Sequence, residues 1–272
     1  MPFTKTQSVL KGILPKRCFL DIYKVATQVY NLSTKVSDII FYTSSYIFYS
    51  LKGDSDNARM IKRITSILPY TMVGRTGLLS TYDIASKIVN SKIEGSFVEC
   101  GVARGGCSAL MAMVADDDRK VWLFDSFEGL PDPTTEDESS ITAPFVEDRH
   151  SPALHKGYCL GMYDEVERLL FLKFAFNRNK VFMIKGWFQD ILPQYGSLIG
   201  RISFLRLDGD WYDSTKCCLE NLYGNVVSGG YVFIDDYYLE GCKKAVDEFL
   251  AKRNEIVEFV FDNRGGCYFV KL

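Results

Sequence analysis

Ile256-Val257-Glu258-Phe259-Val260-Phe261, then Asp262-Asn263-Arg264-Gly265, then Gly266-Cys267-Tyr268-Phe269-Val270-Lys271 closes the chain, and the reading of this stretch decides the fold. Two runs rich in β-branched and aromatic residues flank four turn-forming residues. So short a connection permits only an antiparallel hairpin, because parallel neighbours need a crossover of about a dozen residues or more. Upstream, strand-like runs at 97–100, 121–125, 181–185, 202–208 and 231–236 are separated by longer segments. Several are continuously apolar rather than alternating, as expected when both faces of a sheet are covered. Segments such as 107–115 and 214–227 are long enough for crossover helices, which makes the first five strands parallel and doubly wound.

A mostly parallel seven-stranded α/β sheet whose last strand is antiparallel is the Rossmann-like outline of the class I methyltransferase fold. The reversed end argues against a plain dinucleotide-binding domain. Ahead of the sheet, residues 1–69 read as an N-terminal helical arm, broken near Gly53-Asp54-Ser55-Asp56, and 70–272 as the sheet domain. One stretch, about 132–155, is polar, acidic and Pro-containing, and holds the chain's two histidines, His150 and His155. Loops of this length without a pattern of their own are commonly lids.

The 272 residues, 47% hydrophobic and 24% charged, suffice for a full core, and the formal net charge of -2 speaks against a nucleic-acid binder. Eight cysteines with no CxxC pair fit reduced, buried thiols in a cytoplasmic protein rather than a disulfide scaffold or a zinc site. Residues 36–51 are aromatic and aliphatic but too short and polar to span a bilayer. Residues 1–52 carry seven basic against two acidic side chains. Such an arm suits packing or oligomerisation, with peripheral contact to a membrane surface as the competing use.

Ligands of open α/β sheets bind beyond the carboxyl ends of the strands. The first strand runs into Glu99-Cys100-Gly101-Val102-Ala103-Arg104-Gly105-Gly106, a turn able to approach a ligand closely but without GxGxxG spacing. A glycine turn with no ligand explains that pattern equally well. The second strand ends at Asp125, placed either to accept ribose hydroxyls or to cap a turn. After the third come Gly186-Trp187-Phe188, a flat partner for an adenine ring or ordinary core aromatics. The fourth and fifth end in Asp208-Gly209-Asp210 and Asp235-Asp236. Carboxylates gathered at neighbouring strand ends repel one another unless a positive group sits among them. An all-oxygen donor set selects a hard cation, Mg²⁺ with Mn²⁺ or Ca²⁺ as substitutes.

Five motifs in order, Glu99-x-Gly101-Val102-x-Arg104-Gly105-Gly106, Asp125-Ser126-Phe127-Glu128-Gly129-Leu130-Pro131, Gly186-Trp187-Phe188, Leu207-Asp208-Gly209-Asp210-x-Tyr212-x-Ser214-Thr215 and Gly229-Gly230-x-x-x-x-Asp235-Asp236-Tyr237, resemble the macrocin O-methyltransferase (TylF-type) family. The likeness runs from about Tyr70 to the C-terminus, with Cys100 and Ala103 as departures. It implies an S-adenosyl-L-methionine- and Mg²⁺-dependent enzyme that methylates a sugar hydroxyl in a glycoside or glycan, as a homo-oligomer such as a dimer. Carried over by position, Glu99, Gly101, Arg104 and Gly105 hold the methionine part of the cofactor. Asp125 holds the ribose, Ser126 beside it is a further cofactor-binding residue, Trp187 and Phe188 border the adenine, and Thr71 and Met72 add contacts. Asp208, Asp235 and Asp236 ligate the metal. Asp208 is the first choice of proton acceptor and Asp210 the competing one. Two alternatives come from other classes: a DxD glycosyltransferase, using Asp208-Gly209-Asp210 on a sugar-nucleotide diphosphate, and a non-enzymatic, membrane-apposed assembly protein.

Overall fold

A computed structural model describes residues 36–138, 154–262 and 265–272. Residues 1–35 of the arm, and 139–153 with His150, lie outside the described residues. The sheet has seven strands: β1 (Ser96–Cys100), β2 (Val121–Asp125), β3 (Val181–Lys185), β4 (Ile202–Leu207), β5 (Val226–Ile234), β6 (Val260–Phe261) and β7 (Cys267–Val270). Their spatial order is β3-β2-β1-β4-β5-β7-β6. The first five pair in parallel, and β7 runs antiparallel to both neighbours. The reversal read from the terminal hairpin is therefore present.

Helices cover both faces. After α1 (described residues 36–51), on one side α2 (Ser55–Ile67), α3 (Arg75–Asn90) and α4 (Gly106–Val114) bury Ile61, Ile64, Leu78, Ile84 and Met111 against Phe97, Leu123, Phe204 and Phe233. The short α5 (Tyr163–Glu167), continued by a π-helical turn, joins this layer through Val166 and Leu170. On the other side α6 (Phe188–Ile199), α7 (Tyr212–Leu222) and α8 (Glu240–Lys252) pack Leu192, Leu219 and Val246 against Val98, Phe124, Leu205 and Val232. Neighbouring residues such as Phe204 and Leu205 thus enter opposite cores, which is why β4 reads as an apolar run.

The edges of the sheet differ from the sequence reading. The run 256–261 forms ladder bonds only at Val260 and Phe261, because it lies at the sheet's edge and Ile256 is 91% exposed. Strand β5 begins at Val226, five residues early. Val226 pairs with Ile202, and the register shifts before Phe204 meets Tyr231, so Gly229-Gly230 form an irregularity inside the strand instead of lying ahead of it. Helix α7 accordingly stops at Leu222 instead of reaching Val227.

The break in the arm falls where expected. A helix occupies described residues 36–51, and Asp54 caps α2 by accepting the Asn57 N–H at 3.1 Å. The first helix is held by the buried Tyr42 and by an ion pair between Arg75 and Asp38 at 2.7 Å, while Ile40, Ile47 and Leu51 stay exposed. Among the described residues, no helix is long and apolar enough to cross a membrane.

Candidate active site

Past the ends of the strands, the backbone ladder continues by one bond at each junction. Gly186 N–H donates to Asp125, Gly101 N–H to Phe124, Asp208 N–H to Cys100 and Asp235 N–H to Leu207, at 2.8–2.9 Å. Five strand ends are thereby laced into one row, which opens into a cavity of about 1790 Å³. Thr71, Met72, Glu99, Gly101, Arg104, Asp125, Ser126, Trp187, Phe188, Asp208 and Asp210 all line it. Gly105, Asp235 and Asp236 do not reach its wall.

The β1–α4 turn is shaped by backbone requirements. Gly101 has φ +95°, and an added Cβ would lie 1.8 Å from the Asp208 carbonyl oxygen. Gly105, at φ +82°, precedes α4, whose first turn opens at the cavity; its place is behind the loop, where a Cβ would meet Val166 at 2.9 Å. Asp125 pins this turn from β2. One oxygen accepts the N–H groups of Val102 (2.7 Å) and Ala103 (2.9 Å), and the other accepts that of Phe127 (2.6 Å). Burial raises its pKa, and those three N–H groups oppose the rise. Asp125 therefore organises the loop as well as lining the cavity. Trp187 and Phe188 open α6, and Ser126 closes its own turn by accepting the Glu128 N–H.

At the other end of the row, Asp208, Asp210 and Asp236 bring carboxylate oxygens within 4.8 Å of one another. Asp210 sits at φ +56° after Gly209, and its N–H donates to Asp236 at 3.2 Å. Three converging carboxylates, two of them buried, form a donor set suited to a hard divalent cation. Asp235 lies beside this group, completely buried, with Oδ1 ion-paired to Arg206 at 2.9 Å. Asp210 thus joins the acidic corner, whereas Asp235 faces a guanidinium.

Arg206 is the residue the sequence reading missed. Its signal was a lone charge in the apolar run Ile202–Leu207, since a buried charge demands partners. It pairs with Glu99 (3.0 Å), Asp208 (2.8 Å) and Asp235 (2.9 Å). Burial pulls its pKa down, but Cys107 and the three carboxylates hold it above its ordinary value. Burial pushes Glu99 up to about 7, against Arg206 and the Ser108 hydroxyl bonded to it, with Asp208 and Asp235 adding to the rise. A second omission is Asp137. It is fully buried, bonds the Thr134 hydroxyl, and accepts the Tyr212 N–H at the start of α7 at 2.9 Å. With the bond from the Trp211 indole to the Pro131 carbonyl at 3.1 Å, it anchors the root of the acidic loop beside the corner. Thr134-x-x-Asp137 fits a capping-box spacing, the cue available in the sequence.

A Rossmann-like sheet with an antiparallel seventh strand, a glycine turn after β1 and an acidic corner after β4 and β5 defines a class I methyltransferase. The sequence profile of the macrocin-O-methyltransferase (TylF) family matches residues 9–269, so the match takes in the helices ahead of the sheet. The chain belongs to this family and is an O-methyltransferase. It is 36% identical over 204 residues to a demethyldecarbamoylnovobiocin O-methyltransferase of Streptomyces niveus, covering 73% of this chain and 74% of that one. It is 34% identical to an 8-demethyl-8-(2,3-dimethoxy-alpha-L-rhamnosyl)-tetracenomycin-C 4'-O-methyltransferase of Streptomyces olivaceus, covering 74% and 75%. Among solved structures, the O-methyltransferase NovP aligns with a TM-score of 0.64 and 33% identity, over 74% of this chain and 82% of that one. Family membership sets the glycosyltransferase and assembly-protein alternatives aside.

Proposed function

We propose that the chain moves a methyl group from S-adenosyl-L-methionine to a sugar hydroxyl, with a divalent cation, Mg²⁺ or in its place Mn²⁺ or Ca²⁺, at the acidic corner. The observation that carries this reading is the sharing of one cavity by the glycine turn and by Asp208 and Asp210. The sugar part draws on the tetracenomycin relative, whose name specifies a rhamnosyl group.

When bound, the donor supplies an electrophilic methyl group, and the cation supplies charge that favours an ionised hydroxyl. The residues do the rest. Gly101 lets the β1 turn lie against the Asp208 backbone, Asp125 holds that turn in shape, and the α4 N-terminus suits a carboxylate. Trp187 and Phe188 present flat apolar surface at the β3 end. Asp208, Asp210 and Asp236 hold the cation, with Asp235 beside them. We assign proton acceptance to Asp210, which lines the cavity at the acidic corner, with Asp208 as the competing candidate. The walls around this row align the reactants and exclude water, an effect worth roughly 7–11 kcal/mol in well-oriented systems.

Assignment to the cytoplasm rests on the buried thiols of Cys100, Cys107, Cys218, Cys242 and Cys267. Self-association, expected from the sequence, has its support in the exposed Ile40, Ile47 and Leu51 of the first described helix, and sedimentation velocity tests it.

The functional test is calorimetric titration of the full chain with S-adenosylhomocysteine, followed by mass-spectrometric screening of glycosides for a one-methylene gain. Binding plus a methylated sugar is the expected result. Folded protein without affinity for the homocysteine product removes the donor assignment.

A further inference from the structure

Arg206 has no exposed surface, yet every nitrogen of its guanidinium has a partner from a different part of the fold. Nη1 donates to Glu99 on β1 and to Asp208 at the β4 end, and Nη2 to Asp235 at the β5 end. Nε lies 3.4 Å from the Thr81 hydroxyl on α3, and the Phe233 ring centroid is 5.6 Å from the guanidinium carbon. Glu99 belongs to the turn proposed to meet the donor, and Asp208 to the corner proposed to meet the cation. A planar fork with fixed donor directions can hold three carboxylates at set angles; an ammonium, a point charge on a flexible stem, cannot.

Resting on the metal-dependent reading above, we propose that Arg206 is a positioning residue: its guanidinium fixes the Asp208 and Asp235 carboxylates at the edge of the acidic corner, so that the corner meets a divalent cation already arranged. The charge balance requires such a group. Glu99, Asp208 and Asp235 crowd one buried region, and without a cation among them their mutual repulsion turns the carboxylates away from one another. Arg206 supplies that charge permanently, before any metal arrives, and leaves part of the Asp208 carboxylate for the cluster with Asp210 and Asp236. The placement also ties β1, β4 and β5 together behind the site, so the turn carrying Gly101 and the corner carrying Asp210 share one support.

The test uses the full chain, with Mn²⁺ alone as the metal probe, followed by its electron paramagnetic resonance signal, and S-adenosylhomocysteine followed by calorimetry. Arg206→Lys keeps the charge and loses the fork. The expected result is a cooperative thermal transition, an S-adenosylhomocysteine affinity changed far less than that for Mn²⁺, and an Mn²⁺ dissociation constant raised about 10–100-fold, the usual cost of losing a partner behind a metal ligand. Saturation at one Mn²⁺ per chain, reached at higher concentration, marks a misplaced ligand rather than a lost fold. Should Arg206→Lys fail to fold, Glu99→Gln/Arg206→Lys relieves one carboxylate and is held to the Mn²⁺ affinity and signal alone. A folded variant with wild-type Mn²⁺ affinity and signal overturns the proposal while leaving the functional reading intact. Wild-type protein that binds S-adenosylhomocysteine but no Mn²⁺ overturns the metal-dependent reading and this proposal with it.

Discussion

The two ends of the cavity are built by different means. Around β1 and β2 the structure is set by backbone: positive φ at Gly101 and Gly105, and three N–H groups gathered by Asp125. Around β4 and β5 it is set by side-chain charge, with Arg206 against Glu99, Asp208 and Asp235 and the cluster of Asp208, Asp210 and Asp236 in front. The first end should yield to an added methyl group and tolerate salt. The second should yield to isosteric neutralisation that leaves the backbone untouched.

The sharpest way to separate the two is Asp210→Asn, which changes one charged oxygen of the proposed proton acceptor and nothing in the β1 turn. Methyl transfer is expected to fall about 10²–10⁴-fold, with S-adenosylhomocysteine affinity unchanged by calorimetry. Parallel loss of both would erase the distinction. Gly101→Ala should break both ends at once, because the added Cβ points at the Asp208 carbonyl. Urea denaturation is expected to show a loss of about 2–5 kcal/mol from strain and overpacking, accompanied by weaker binding of the donor product and of Mn²⁺.

Smaller effects concern the groups behind each end. Glu99 has a pKa raised from 4.5 to about 7 in the folded chain. Its protonated form therefore stabilises fully below about 4.5, and that contribution, on the order of 3 kcal/mol, is lost as pH rises through about 7. Thermal unfolding across this range should show the decline, and Glu99→Gln should flatten it while the protein stays folded at neutral pH. Asp125→Asn keeps one acceptor oxygen, but its amide nitrogen cannot accept, so at least one of the three backbone N–H groups loses its partner. A cost of about 1–3 kcal/mol is expected, with S-adenosylhomocysteine binding weakened and Mn²⁺ binding untouched.

Much of this was legible in the chain because it is local. The hairpin at 256–271 announced its direction through a four-residue turn, and the glycines at 101, 105 and 106 and the acids at 208, 210, 235 and 236 stand directly after strand-like runs. Arg206 was not legible in that way. Its three partners come from residues 99, 208 and 235, and only the order β1-β4-β5 brings them together. Asp235 and Asp236 illustrate the same limit. Adjacent in sequence, they point to opposite tasks, one toward the guanidinium and the other toward Asp210, because successive side chains leaving a strand diverge. The early start of β5 was hidden for a related reason: Ser228-Gly229-Gly230 interrupts the apolar run, and only pairing of Val226 with Ile202 makes it part of the strand.

Donor and cation are proposed to meet at adjoining ends of β1, β4 and β5. Anomalous diffraction from crystals grown with S-adenosylhomocysteine and Mn²⁺ tests it most directly. One manganese peak within bonding distance of Asp208 and Asp236 is expected, with S-adenosylhomocysteine along the Gly101–Arg104 turn. A clear map of the bound product with no manganese at that corner, or with the ion held elsewhere, would contradict it.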